Sequence, residues 1–191
     1  IGGIVMTKVA IMGYGVVGSG LIELIDKNRE YNREDDIKIT SILVRNKEKH
    51  LNSSHNEVIT TDVEEFFSIK SDVVIEVIGG LHPAYDYVKR ALVLGKHVVT
   101  ANKDLIATFG HELFQLAQEN NVSLKFEAAV AGGIPIIKPL TESLYGNGIS
   151  SIKAILNGTT NFILTKMDGE NLSYEEALSE AQQLGFAEAN P

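Results

Sequence analysis

Three glycines, Gly13, Gly15 and Gly18, stand in a G-x-G-x-x-G spacing. An apolar run, Val9 to Met12, leads into them, and a helical pattern from Val16 to about Asp26 follows. Strand, glycine turn and helix in that order make a phosphate cradle. Gly13 lets the chain turn off the strand, Gly15 leaves room for a pyrophosphate, and Gly18 lets the helix pack close to the sheet. The helix start then offers unpaired N–H groups and the positive end of its dipole to an anion. The bland alternative is a tight strand-to-helix turn with no ligand.

Other residues extend this chemistry. The second strand runs from Ile37 to Val44, and Arg45-Asn-Lys47 follows it where an Asp or Glu would accept from a ribose 2′-hydroxyl. A cation there suits a 2′-phosphate, so NADP is the expected cofactor and NAD the alternative. Arg45 is the stronger candidate by position; Lys47 and Lys49 read equally well as a solvated basic loop. Gly79-Gly80 and Thr100 fall at the carboxyl ends of strands, where open α/β sheets bind ligands. Lys103 lies just beyond Thr100, suited to grip a carboxylate or polarise a carbonyl, or else to be a surface lysine. Glu127 interrupts the apolar stretch Phe126 to Val130, which is costly unless the carboxylate is paired or coordinated. A cation, a basic partner or a partly exposed strand end would each explain it, and the strand end is the plainest. The five histidines show no ligand spacing. No G-x-S-x-G elbow supports hydrolytic chemistry.

These residues need a scaffold, and the hydrophobic pattern describes one. Apolar strands at 9–12, 37–44, 72–78, 96–100 and 122–128 alternate with helical stretches, including one opening near Pro83 and one over 111–119. A short helix capped by Asp62 covers 63–67, and residues 28–36 form a polar loop. Apolar strands joined by helices imply a doubly wound, mostly parallel Rossmann-type sheet, an α/β fold. The pattern changes beyond Val130. A helix is expected over 131–144, distorted at Pro139, then a strand over 149–156 and a helix from Asn157 to about Lys166. A capping box, Ser173-Tyr-Glu-Glu176, opens a helix ending at Leu184-Gly185. Residues 1–130 therefore read as a dinucleotide-binding domain. Residues 131–191 read as part of an α+β substrate-binding and dimerisation domain.

Composition narrows the function classes. Hydrophobic residues make up 44% of the 191 positions, enough for a real core. The net charge of −8 argues against nucleic acid as a partner. The chain lacks cysteine, which excludes thiolate catalysis and disulfides. No apolar run reaches the ~18 residues of a membrane span. A cytoplasmic enzyme acting on a small molecule, away from membranes, is the expectation.

Five stretches occur in one order: Gly13-Tyr-Gly-Val-Val-Gly18, Thr100-Ala-Asn-Lys-Asp104, Glu127-Ala-Ala-Val-Ala-Gly-Gly-Ile-Pro135, Asn157-Gly-Thr-Thr-Asn-Phe162 and Leu184-Gly-Phe-Ala-Glu-Ala-Asn-Pro191. Together they resemble homoserine dehydrogenase over nearly the whole chain. The last two are far more specific than the glycine spacing. The resemblance implies reversible, NAD(P)-dependent interconversion of L-homoserine and L-aspartate 4-semialdehyde, serving threonine, methionine and isoleucine synthesis. By the same resemblance Gly15, Val16, Val17 and Gly18 would lie on the cofactor. Thr100 and Lys103 would border nicotinamide and substrate. Glu188 would hold the substrate's amino group, with Gly185 in the same loop. A sodium ion would sit between the Glu127 carboxylate and oxygens of Val130, Gly132 and Ile134, and a homodimer would form through the second domain.

In the family an aspartate and a proton-donating lysine follow that glutamate, and the sequence ends at Pro191 before both. The chain is accordingly expected to be a fragment, inactive or nearly so alone. The competing readings are a non-catalytic NAD(P)-sensing module and another amino-acid or semialdehyde dehydrogenase.

Overall fold

The first apolar run becomes strand β1 (Thr7–Met12), and its alternation builds two cores at once. Val9 and Ile11 point to one face of the sheet, Ala10 and Met12 to the other, and all four are buried. A strand covered on both faces has no solvent side to mark with polar residues, so it reads as a continuous apolar run. The computed structural model describes residues 6–31 and 37–187. The chain divides into two compact units, Ile1–Val130 and Ala131–Pro191.

In the first unit, β1 is followed by α1 (Val16–Tyr31), β2 (Ile37–Leu43), β3 (Ile59–Thr60) and α2 (Val63–Ser68). Then come β4 (Val73–Glu76), α3 (Ala84–Val93), β5 (His97–Thr100), α4 (Lys103–Glu119) and β6 (Leu124–Lys125). The six strands lie in the order β3-β2-β1-β4-β5-β6, all parallel. Strand order reverses between β1 and β4, and ligands bind at such a reversal, outside the carboxyl ends. Ile22 and Ile25 of α1 cover one face. Phe66 and Phe67 of α2, Val88, Ala91 and Leu92 of α3, and Leu105 and Leu113 of α4 cover the other.

Several boundaries differ from the sequence reading, each for a physical reason. Helix α1 continues to Tyr31, through the start of the expected polar loop. A helical extension that is polar apart from Tyr31 carries no apolar period to betray it; the loop's remainder at 32–36 lies outside the described residues. Helix α4 starts at Lys103 rather than His111. Gly110 breaks the helical pattern in sequence, but it is buried inside the helix, where a Cβ would make only ordinary contacts with Ile106 and Phe114. The Asn102 side chain caps α4 by accepting from the Leu105 N–H at 3.1 Å. The strand expected over 122–128 shrinks to Leu124–Lys125, and a 3₁₀ turn at Glu127–Ala129 follows.

In the second unit, residues 131–136 are turns and irregular chain where a helix is expected. Pro139 lacks an N–H, and the turn it opens at Pro139–Ser143 is a π-helix. Residues 149–156 form no strand. Apolar character alone does not make a strand; a hydrogen-bonded neighbour does, and none pairs with this stretch among the described residues. Helices α5 (Gly158–Glu170) and α6 (Tyr174–Gln183) pack on each other through Ile163, Ala177 and Ala181. The capping box at Ser173 and Glu176 is present in both directions. No helix among the described residues is long and apolar enough to cross a membrane.

Candidate functional site

At the carboxyl edge of the sheet, three stretches press together. The Gly13 N–H donates to the Leu43 carbonyl at 3.0 Å, and the Val77 N–H donates to the Met12 carbonyl at 2.9 Å. Gly13 has φ +107°, and a Cβ on it would lie 2.7 Å from the Val77 carbonyl oxygen. A Cβ on Gly18 would lie 2.3 Å from the Gly13 carbonyl oxygen. These two glycines are required by packing. Gly15 differs: a Cβ there meets nothing within 4 Å. The packing of the chain does not demand glycine at 15, yet a ligand approaching the backbone would. Val16 is 91% and Val17 57% exposed at the start of α1, whose first N–H groups have no intrahelical acceptor. An anion lying on this turn finds donors, dipole and room together.

A cavity of about 520 Å³ opens beside the turn. Gly13, Tyr14 and Gly15 form one wall, Val77 and Ile78 another, and Arg45, Asn46, Lys49 and His50 a third. That size suits part of a dinucleotide. The third wall is a loop folded back onto the glycine turn. The Tyr14 ring stacks on His50 with centroids 4.7 Å apart, and the Tyr14 hydroxyl is 2.8 Å from the Ser53 hydroxyl. The His55 ring contacts Asp26 at 2.8 Å, tying the same loop to α1. The Asn46 side chain accepts from the Glu48 N–H and starts a 3₁₀ turn over Lys47–His50. Arg45 lines the cavity as expected from its position, but Lys47 does not; Lys49 and His50 do instead.

The remaining expected residues lie along the next two strand ends. Gly79 and Gly80 have φ of +78° and +71°. Thr100 is fully buried, and its hydroxyl donates to Glu76 at 2.5 Å, so its side chain turns into the protein. Lys103 is exposed at the first position of α4 and makes no ion pair among the described residues. Glu76 is a residue that sequence reasoning passed over. It is fully buried, and its two carboxylate oxygens accept from the Ile78 and Gly79 N–H groups and from Thr100. The signal was present: a carboxylate inside an apolar strand, directly before a loop carrying Gly-Gly, is as costly as Glu127 looked.

Glu127 opens a 3₁₀ turn, and the Val130 N–H donates to its carbonyl at 3.1 Å. In the second unit Gly132 has φ +59°, and exposed Ile134 donates its N–H to the Ala131 carbonyl at 3.1 Å. No cluster of three or more His, Cys, Asp or Glu side chains that could hold a metal occurs among the described residues. Gly185 has φ +76° just beyond α6 and donates to the Gln182 carbonyl at 3.2 Å. Glu188 lies outside the described residues.

Residues 13–127 match the family described as homoserine dehydrogenase, NAD binding domain, and residues 135–191 match the family described as homoserine dehydrogenase. A homoserine dehydrogenase of Bacillus subtilis is 47% identical over 189 residues, covering 96% of this chain and 44% of that protein. The crystal structure of a homoserine dehydrogenase from Thiobacillus denitrificans has a TM-score of 0.86 at 42% identity, covering 97% of this chain and 44% of that one. A hyperthermophilic archaeal homoserine dehydrogenase, solved in complex with NADPH, has a TM-score of 0.83 at 33% identity, covering 98% of this chain and 64% of that one. The chain thus spans under half the length of these bacterial relatives.

Proposed function

The chain belongs to the homoserine dehydrogenase family, and from that we propose that it carries the dinucleotide site and part of the substrate site of an enzyme interconverting L-homoserine and L-aspartate 4-semialdehyde. Such a reaction would feed threonine, methionine and isoleucine synthesis. The observation that carries the reading is Gly15: a glycine whose missing Cβ leaves open space, beside a cavity flanked by Arg45. The residues fit a pyrophosphate on the amides of 15–18, with the adenosine end toward the loop after β2.

NADP is the preferred nicotinamide cofactor in this reading. Arg45 offers a guanidinium fork to a 2′-phosphate, and no carboxylate stands at the end of β2 to accept from a free ribose hydroxyl. Lys49 supplies a second cation on the same wall. When bound, the nicotinamide would exchange a hydride with the carbon that is an alcohol in one substrate and an aldehyde in the other. Lys103 would hold the substrate carboxylate from the first turn of α4, and Glu188 its ammonium group. A structural sodium ion at Glu127, Val130, Gly132 and Ile134 belongs to the same reading. Its support is the resemblance, since these positions match the family's cation-ligand spacing, and main-chain carbonyls are ligands that a hard cation accepts. Exposed Ile149, Ile152 and Ile155 support a homodimer contact in the whole protein.

Titrating NADPH and NADH into wild type and Arg45→Ala tests the cofactor assignment. We expect NADPH to bind more tightly, and the substitution to weaken NADPH alone by about 10- to 100-fold, the worth of a charge-assisted hydrogen bond. An unchanged preference would reject the role of Arg45.

A further inference from the structure

We propose that Glu76 is a positioning residue for the nicotinamide half of the site, acting through a closed ring of hydrogen bonds with Thr100 and Asn102; this rests on the dinucleotide reading above. The ring begins with the cross-strand pairing of Glu76 on β4 with Thr100 on β5. One Glu76 oxygen accepts from the Ile78 and Gly79 N–H groups at 2.8 and 3.2 Å, and the other accepts from the Thr100 hydroxyl. Thr100 in turn accepts from the Asn102 N–H at 3.0 Å. The Asn102 amide donates to the Gly80 carbonyl at 2.6 Å and so returns to the loop where the ring began. The same Asn102 caps α4, whose first residue is Lys103.

Two features argue that this arrangement serves a site as well as the fold. A carboxylate buried in a parallel sheet is costly, and an apolar residue would hold two strands together at least as well. Here all three side-chain bonds of Glu76 go to loop groups or to the hydroxyl that orders a loop. Moreover, although Ile78 packs on the core, Gly79 and Gly80 have left-handed backbones, and a Cβ on either would meet nothing within 4 Å, so side-chain packing does not fix these two glycines. The Glu76 and Asn102 bonds do. The ring borders the order reversal directly, since Glu76 on β4 also pairs with Met12 at the end of β1. None of its bonds involves Gly15, Arg45 or Lys49. The two ends of a bound dinucleotide are therefore held by separate devices, and the Glu76 device sets where the ring end and Lys103 face one another.

The test is calorimetric titration of the full chain with two probes: NADPH, and 2′,5′-ADP, which has the adenosine half and no nicotinamide. Glu76→Gln should weaken NADPH by about tenfold or more, the loss of one buried hydrogen bond, while 2′,5′-ADP affinity stays within about twofold. Should Glu76→Gln fail to fold, Thr100→Val and Thr100→Ser replace it. The first should reproduce the selective loss, and the second, which keeps the hydroxyl, should restore NADPH binding. Equal weakening of both probes, or no weakening of either, would overturn the positioning role while leaving the site intact. Wild type that binds neither probe would overturn the dinucleotide reading itself and this proposal with it.

Discussion

The two units of this chain use apolar residues in opposite ways. In the first, both faces of a six-stranded sheet are covered, and residues such as Ile11, Met12, Phe66 and Leu113 are essentially inaccessible to solvent. In the second, Ile163, Ala177 and Ala181 form the buried centre, while Tyr145, Ile149, Ile152, Ile155 and Leu156 are exposed. The first unit closes its own core. The second carries apolar side chains that its own described residues do not cover. A domain's stability scales with the apolar surface it removes from water, so the glycine turn and cavity rest on the self-sufficient unit.

Truncating each centre sharpens this contrast. Leu113→Ala should cost the first unit about 2–5 kcal/mol, read as a lower denaturant midpoint followed at β1 and β4. In wild type, amide exchange in α5 and α6 should already be faster than in β1 and β4, because less burial protects them. Equal protection across both units would break the comparison. A smaller effect is expected from Ser173→Ala, about 1 kcal/mol for a lost N-cap, read as faster exchange at the start of α6 with β1 unchanged.

The smallest effect is the acid response. Glu176 is held below the usual carboxylate range by the N–H and hydroxyl of Ser173, and Glu64 likewise by the Arg90 guanidinium 2.5 Å away. Both carboxyls are easier to ionise folded than unfolded. Their contribution is therefore present above the unfolded value, and it is lost as pH falls through the lower folded value. Lowering pH from about 6 to about 3 should loosen the start of α6 and the contact between α2 and α3, followed by exchange and by the Glu176 and Glu64 carboxyl shifts. Carboxyl shifts that titrate at or above the ordinary value would reject these two bonds.

What the sequence made legible follows the same division. The β1–turn–α1 unit was readable because each glycine has a separate steric or ligand-binding reason to be glycine. The alternating strands and helices then implied the doubly wound sheet. Residues 149–156 misled because strand formation needs a neighbour that apolar content does not reveal. Lys47 and Lys49 could not be separated because a loop has no period; a 3₁₀ turn started by Asn46 decides which of them lines the cavity. Glu76 was overlooked because it sits within a strand, where attention falls on the apolar residues, although its burial cost was as readable as that of Glu127.

Replacing Gly15 tests the central claim most directly, because its neighbours Gly13 and Gly18 are required by packing and it is not. Gly15→Leu should leave stability within about 1 kcal/mol of wild type, the scale of an altered helix cap, while NADPH affinity falls by about 100-fold or more, the scale of an obstructed pyrophosphate contact. A folded Gly15→Leu chain that binds NADPH as tightly as wild type would contradict the account.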